Sequence, residues 1–173
     1  MTSRRPHGSG ARGCPAPTTG PPPSPARRRH VLTLPVSLRA VSLAVTDARS
    51  VFTAWGVPAA ASVLDAAELI VCELVLNAVR HARDSSTVHV LYELEGDRLG
   101  LSVHDDDARP LPVPASGRRA EVDGSGGGLR TVAETAAQFD GRLSVEPSGL
   151  TGGKQATVRL RWRAAAGEGP TAP

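Results

Sequence analysis

Hydrophobic and polar positions along the chain follow two different periods. Apolar residues recur at helical spacing from Ser37 to Trp55, where Leu38, Val41, Leu43, Ala44, Val45, Ala48 and Val51 fall near one side. They recur again from Ala59 to Arg83, the longest such stretch, with Gly56 as the stop between the two helices and Ser62 or Asp65 as candidate caps. The period then drops to two. Thr87–Leu94 predicts a strand, Glu95-Gly96-Asp97 a turn, and Arg98–Asp105 the returning strand of a hairpin. Val31–Leu34 predicts a short strand ended at Pro35. From Asp106 to Gly127 no period is visible, and Pro110, Pro112 and Pro114 break the backbone; a loop this long inside a domain is usually functional, often a lid. Gly128–Gln138 predicts a third helix with Leu129, Val132, Ala133 and Ala136 inward. Gly141–Glu146 and Gln155–Trp162 predict two last strands, separated by a bend at Gly149 and Gly152-Gly153. Strands and helices segregate rather than alternate singly. The expected fold class is therefore α+β, a two-layer sandwich with helices on one face of a mainly antiparallel sheet.

Composition sets the outline of the domain. Residues 1–29 are rich in Pro, Gly, Ser, Thr and Arg and are expected to be a disordered tail; residues 30–163 form one domain; residues 164–173 are a second polar tail. Apolar residues make up 40% of the chain but aromatics only 3%, so Leu, Val and Ala must fill the core. The net charge of +3 is unevenly placed. Residues 1–29 hold six arginines and no acid, which leaves the rest of the chain at −3. A nucleic-acid footprint on the folded domain is not supported. No apolar run reaches the length of a membrane span, and residues 1–29 lack the apolar centre of a signal peptide. Cys14 lies in the tail and Cys72 in a buried helix, so a disulfide-free, cytoplasmic protein is expected.

Three groups of residues carry candidate chemistry. On the second helix, Glu73, Asn77 and His81 are four residues apart and share one face, beside Ile70 and Arg80. An Asn oxygen is a hard ligand suited to Mg²⁺, and a carboxylate one turn earlier can deprotonate a hydroxyl or a water. The same spacing also occurs where polar residues cap loops or meet solvent. Next, Gly124-Ser125-Gly126-Gly127-Gly128-Leu129 opens the third helix; side-chain-free amides at a helix start can cradle phosphate, and such a cluster can equally be a flexible loop. Finally, Val103-His104-Asp105-Asp106-Asp107 ends a strand. A buried Asp there can accept a hydrogen bond from an exocyclic amine such as that of adenine, while a solvated turn or a cation site would use the same acids.

Taken in order, these groups resemble the ATP-binding domain shared by gyrases, heat-shock chaperones, histidine kinases and mismatch-repair ATPases. Within it, Glu73-Leu74-Val75-Leu76-Asn77-Ala78-Val79-Arg80-His81-Ala82 looks most like the anti-sigma-factor serine/threonine kinases of bacteria. The resemblance spans about residues 30–163, and the Arg-rich, Lys-poor composition fits small actinobacterial relatives of this kind. It implies a Bergerat-type ATP-binding fold with ATP and Mg²⁺ as cofactors. Asn77 would coordinate the metal, Glu73 would be the general base, and Asp105 would bind the adenine amino group. The loop up to Gly128 would be the lid, with Gly124, Gly126 and Gly128 around the phosphates and Leu129 following them. Thr157 would line the adenine end, and His81 with Arg80 would serve either the helix terminus or a phosphate. The implied partners are a sigma factor or similar regulatory target and an antagonist protein whose serine is phosphorylated, with transcription as the regulated process. Dimers are usual in the resembled family.

One departure stands out. The family's strand-end motif runs V-x-D-x-G-x-G; Val103 and Asp105 fit it, but Asp107 and Arg109 occupy the glycine positions. An inward Asp107 carboxylate would oppose ATP phosphates. The alternative function is therefore a catalytically weak or inactive nucleotide-dependent protein-binding module. A histidine-kinase catalytic domain is disfavoured by the lack of a phospho-accepting hairpin before residue 30. A gyrase or mismatch-repair ATPase is disfavoured by the lack of a transducer after residue 163.

Overall fold

The computed structural model describes residues 26–107, 109, 127–148 and 152–162. Within them the chain runs β1 (Arg27–Pro35), α1 (Leu38–Ala54), α2 (Ser62–His81), β2 (Thr87–Glu95), β3 (Arg98–Asp105), α3 (Gly127–Ala137), β4 (Arg142–Pro147) and β5 (Lys154–Arg161). The strands form one five-stranded sheet in the order β1-β2-β3-β5-β4, antiparallel at every pairing. The helices pack on one of its faces, as the segregated periodicities predict.

The register sorts the residues of each strand to the two faces. Leu99, Leu101, Val103 and Asp105 of β3 stand opposite Leu160, Val158, Ala156 and Lys154 of β5, and all eight are buried beneath the helices. Val88, Val90, Tyr92 and Leu94 continue that face into β2. The opposite face carries His89, Glu93, Ser102, His104, Gln155, Thr157 and Arg159, none of which is in the hydrophobic core, although Ser102 is buried. Alternation along each strand thus makes one face core and the other polar.

The helix layer is held close by small residues. Ala40, Ala44, Ala48 and Phe52, each one turn from the next, form the buried stripe of α1. Alanines let α2 approach, and α2 is buried on most of its circumference through Val63, Leu64, Ala67, Ile70, Val71, Leu74, Val75 and Ala78. Arg49 ties the two helices, donating to Glu68, to Asp65 and to the carbonyl of Ala59. Tyr92 links the layers: its hydroxyl donates to the Ala44 carbonyl at 2.8 Å, and Phe52 meets its ring edge-on at 5.8 Å. Burial, with a smaller contribution from Asp47, pushes the phenol above the ordinary tyrosine range.

One boundary differs from the sequence reading. The first strand starts at Arg27 rather than Val31, so Arg27, Arg28 and Arg29, counted there with the basic tail, belong to the sheet. Arg27 and Arg29 both reach Glu93, at 2.6 and 2.9 Å, and Arg28 donates to the Trp55 carbonyl. A run of like charge hides a strand when its countercharge lies on a distant partner. The helices lie within a few residues of their predicted limits, and α2 begins at Ala61 as cap with no side-chain hydrogen bond from Ser62 or Asp65.

Tyr92→Phe is expected to keep the fold and lower its stability by about 1 kcal/mol, because the buried bond from the phenol to the Ala44 carbonyl is lost. Urea denaturation checks this as a lower midpoint at unchanged slope.

Candidate functional site

The second half of α2 has three kinds of surface. Ile70, Val71, Leu74, Val75 and Ala78 face the core. Glu73 and Asn77 are half-buried on the flank, and Arg80 and His81 emerge into solvent at the helix end. Glu73, Asn77 and His81 thus lie in line on a rigid helix, as their spacing predicts.

Glu73 meets the start of α3. A Cβ built on Gly128 would lie 2.6 Å from Glu73 Oε2, so a side chain there would require the carboxylate to swing aside, whereas Gly127 has open space at the same point. The glycine lets the amide end of α3 come down beside Glu73. Leu129, next in sequence, is 2% exposed and anchors α3 in the core rather than facing a ligand. Gly124 and Gly126 lie outside the described residues. The neighbouring Cys72 is a free thiol, raised in pKa by burial and then by the Glu73 charge.

Asp105 lies at the other edge of the site, at the end of β3 and on the helix-facing side. Its carboxylate is already engaged. Lys154 Nζ donates to Asp105 Oδ1 at 2.8 Å and to the Asp107 carbonyl at 2.9 Å, and the Asp107 amide also donates to Oδ1. Both side chains of the ion pair are about 5% exposed. The preceding residue explains the depth: a Cβ on Gly153 would lie 2.0 Å from the Asp105 carbonyl oxygen, so β5 enters the sheet with its backbone against the end of β3. Lys154 was not singled out from sequence. The available signal was its rarity, since it is the only lysine among the 20 basic residues, placed directly after Gly152-Gly153.

Asp107 and Arg109, at the two glycine positions of the motif, form a staple. The buried Asp107 carboxylate accepts from the Arg83 amide at 2.9 Å, from the Arg109 amide at 3.0 Å and from the Arg109 guanidinium. Arg109 also donates to the His81 carbonyl at the end of α2, which accepts from the Arg83 amide as well. The Asp107 charge is consumed in these bonds. Hydrogen bonds from Arg109 hold its carboxyl well below the usual range, with Lys154 adding to the effect.

Thr157 does not belong to this group. Its register partner is Ser102, with the two hydroxyls 3.0 Å apart on the face of the sheet away from the helices. The expectation that Thr157 lines the adenine end is corrected by strand parity: the inward positions of β5 are Lys154, Ala156, Val158 and Leu160. His81, exposed at the helix end, lends its carbonyl to Arg109.

The profile of the histidine kinase-like ATPase domain matches residues 35–162, most of the chain. The chain belongs to this family. Among solved structures, it is similar to the histidine kinase domain of the blue-light activated histidine kinase of Erythrobacter litoralis EL346, with 23% identity and a TM-score of 0.41 over 56% of this chain and 43% of that one. It is also similar to the mycobacterial sensor histidine kinase MprB, with 22% identity and a TM-score of 0.39 over 56% of this chain and 74% of that one. The chain therefore spans less than half of the first of these proteins. No curated protein sequence matches significantly. Family membership makes ATP the implied ligand. Among the described residues no helix is long and apolar enough to cross a membrane.

For this histidine kinase-like ATPase domain, Asp107→Asn should lower stability at neutral pH and flatten its acid dependence. A depressed folded-state pKa adds stability that is present above the unfolded value, about 3.9, and is lost as pH falls through the lower folded value. Urea midpoints at pH 7 and at about pH 2.5 should therefore show a gap between wild type and variant that narrows in acid.

Proposed function

We propose that the chain is an ATP-dependent protein serine/threonine kinase of the anti-sigma-factor type. The observation that carries this reading is the placement of Glu73 against Gly128 at the head of α3, one helical turn from Asn77. A carboxylate meets a helix start there, and a hard carboxamide oxygen stands one turn further along α2. This is what phosphoryl transfer requires, since its catalysis is positioning and charge stabilisation.

The residues fit the implied cofactors in part. Open space at Gly127 leaves room for a phosphate at the α3 amides, while the position beside Gly128 is taken by the Glu73 carboxylate. The described residues hold no cluster of three or more acidic, His or Cys ligands. A Mg²⁺ ion would rest on Asn77 together with oxygens of the nucleotide, and it would supply charge neutralisation of the phosphates when bound. Glu73 would take the proton of the acceptor hydroxyl. The acceptor would be a serine on an antagonist protein, and a sigma factor or similar regulator would be the bound target, in the cytoplasm. A homodimer is the assembly that fits the proposed family role.

A second reading is favoured by a specific observation. Lys154 occupies Asp105, and Asp107 with Arg109 binds the end of α2 where the family has glycines. A segment so tied suits a module in which nucleotide adjusts partner affinity without transfer.

Calorimetric titration of the chain with Mg·ATP, beside Asn77→Ala, separates binding from its absence. Micromolar binding lost in the variant is expected. Glu73→Gln should keep that binding and slow serine phosphorylation of the antagonist by about a hundredfold or more. Binding without transfer in wild type would select the second reading, and no binding by folded protein would overturn the first.

A further inference from the structure

We propose that the sheet face turned away from the helices carries, at one end, a docking surface for an acidic segment of a partner protein, with one carboxylate of that segment seated over Gly100 between Arg98 and Arg159. The surface lies on the other side of the sheet from Glu73 and Asn77 and does not depend on the nucleotide reading.

The ladder register gathers six arginines of this face into two neighbouring rows. Arg29, Glu93, Gly100, Arg159 and Arg142 follow one another across the five strands, and Arg27, Glu95, Arg98 and Arg161 make the next row. Two of these pairings set like charges directly opposite each other, Arg98 with Arg161 and Arg142 with Arg159. Such pairs destabilise a sheet. Acids answer only part of the charge. Arg27 and Arg29 both hold Glu93, at 2.6 and 2.9 Å, and Arg161 meets Asp97 at 3.1 Å. Among the described residues no acid pairs with Arg98, Arg142 or Arg159. Residues 30–173 carry a net charge of −3, so this positive block runs against the balance of the domain around it.

The middle of the first row is a gap. Gly100 has no side chain, and Glu93 leans over it, since a Cβ there would lie 3.2 Å from Glu93 Cβ. The gap belongs to a cleft of about 230 Å³ walled by Arg27, Glu93 and Glu95 toward β1 and by Arg98 and Arg159 toward β5. That volume suits one inserted side chain rather than a whole small-molecule ligand. A carboxylate entering it would give Arg98 and Arg159 a countercharge, in the forked geometry that guanidinium groups offer. Glu93 would oppose it little, because two arginines already neutralise it.

The same rows favour protein over nucleic acid as the occupant. Glu93 and Glu95 stand among the arginines, so a continuous phosphate backbone laid across the block would meet repulsion, whereas a protein segment can place its acids at chosen points. The described residues of this face include no Phe, Tyr or Trp on which a base could stack.

Calorimetry of the full chain with an end-blocked hexaglutamate peptide tests the proposal at about 50 mM salt, where surface charge is weakly screened. Wild type should bind, and Arg98→Gln with Arg159→Gln together should weaken binding by about tenfold or more, as two charge-assisted contacts are lost. Arg39→Gln with Arg130→Gln removes the same charge from exposed positions of the helix layer and should change affinity by less than about twofold. Gly100→Val fills the cleft at constant charge and should also cost about tenfold. An equal loss in the two double variants would reduce the effect to net charge and overturn the proposal. Unchanged affinity in the folded Arg98 and Arg159 variant, or no binding by folded wild type, would do the same. Tighter binding of a single-stranded oligothymidylate, lost with those two arginines, would make the block a nucleic-acid surface and overturn the proposal as well. Both arginines are exposed, so the test stands even where Gly100→Val fails to fold.

Discussion

The structure depends on helix α2 having to satisfy three environments at once. Its core side packs on α1 and the sheet, its flank meets α3, and its end docks on the segment after β3. Helical geometry makes this possible, because side chains 100° apart can be assigned to different neighbours within one turn. Alanines on α1 and a glycine on α3 then supply the clearance. The polar residues of α2 are held rigid by the packing of the apolar ones, which is how a site gains precision without a strained backbone.

The site has two halves built on different physical terms. Glu73 and Asn77 stand on a packed helix, half-exposed and ready to meet a ligand. Asp105, Asp107, Lys154 and Arg109 form a self-satisfied network in which carboxylate, ammonium, guanidinium and backbone groups answer one another. Removing one member of a buried pair typically costs about 3–5 kcal/mol, because the remaining charge is left uncompensated. The half on α2 is thus left open on the helix flank, and the half at the strand end is turned toward its own fold.

Much of this was legible in the chain. Period-two and helical stretches fall where the elements form, and the four-residue spacing of Glu73, Asn77 and His81 does put them in line. Three things were not legible. The β1 extension through Arg27–Arg29 depended on Glu93, a partner more than sixty residues away. The side of the sheet taken by Thr157 depended on how the Gly152-Gly153 bend feeds β5 into the ladder, where a shift of one residue exchanges faces. The engagement of Asp105 depended on Lys154, forty-nine positions on, meeting it as register partner. Each is a non-local pairing, invisible to local periodicity.

The burial of Lys154 also changes how the protein meets the chemistry of its surroundings. It is the only lysine in the chain, and its ammonium is sequestered between two sheet strands and the segment that follows β3. The native fold thus presents no ε-amine to acyl donors, to amine-directed crosslinkers or to machinery that conjugates proteins through lysine. Any such adduct on a side-chain amine would mark a molecule in which the end of the β3–β5 ladder had opened, which makes the residue a built-in record of local unfolding.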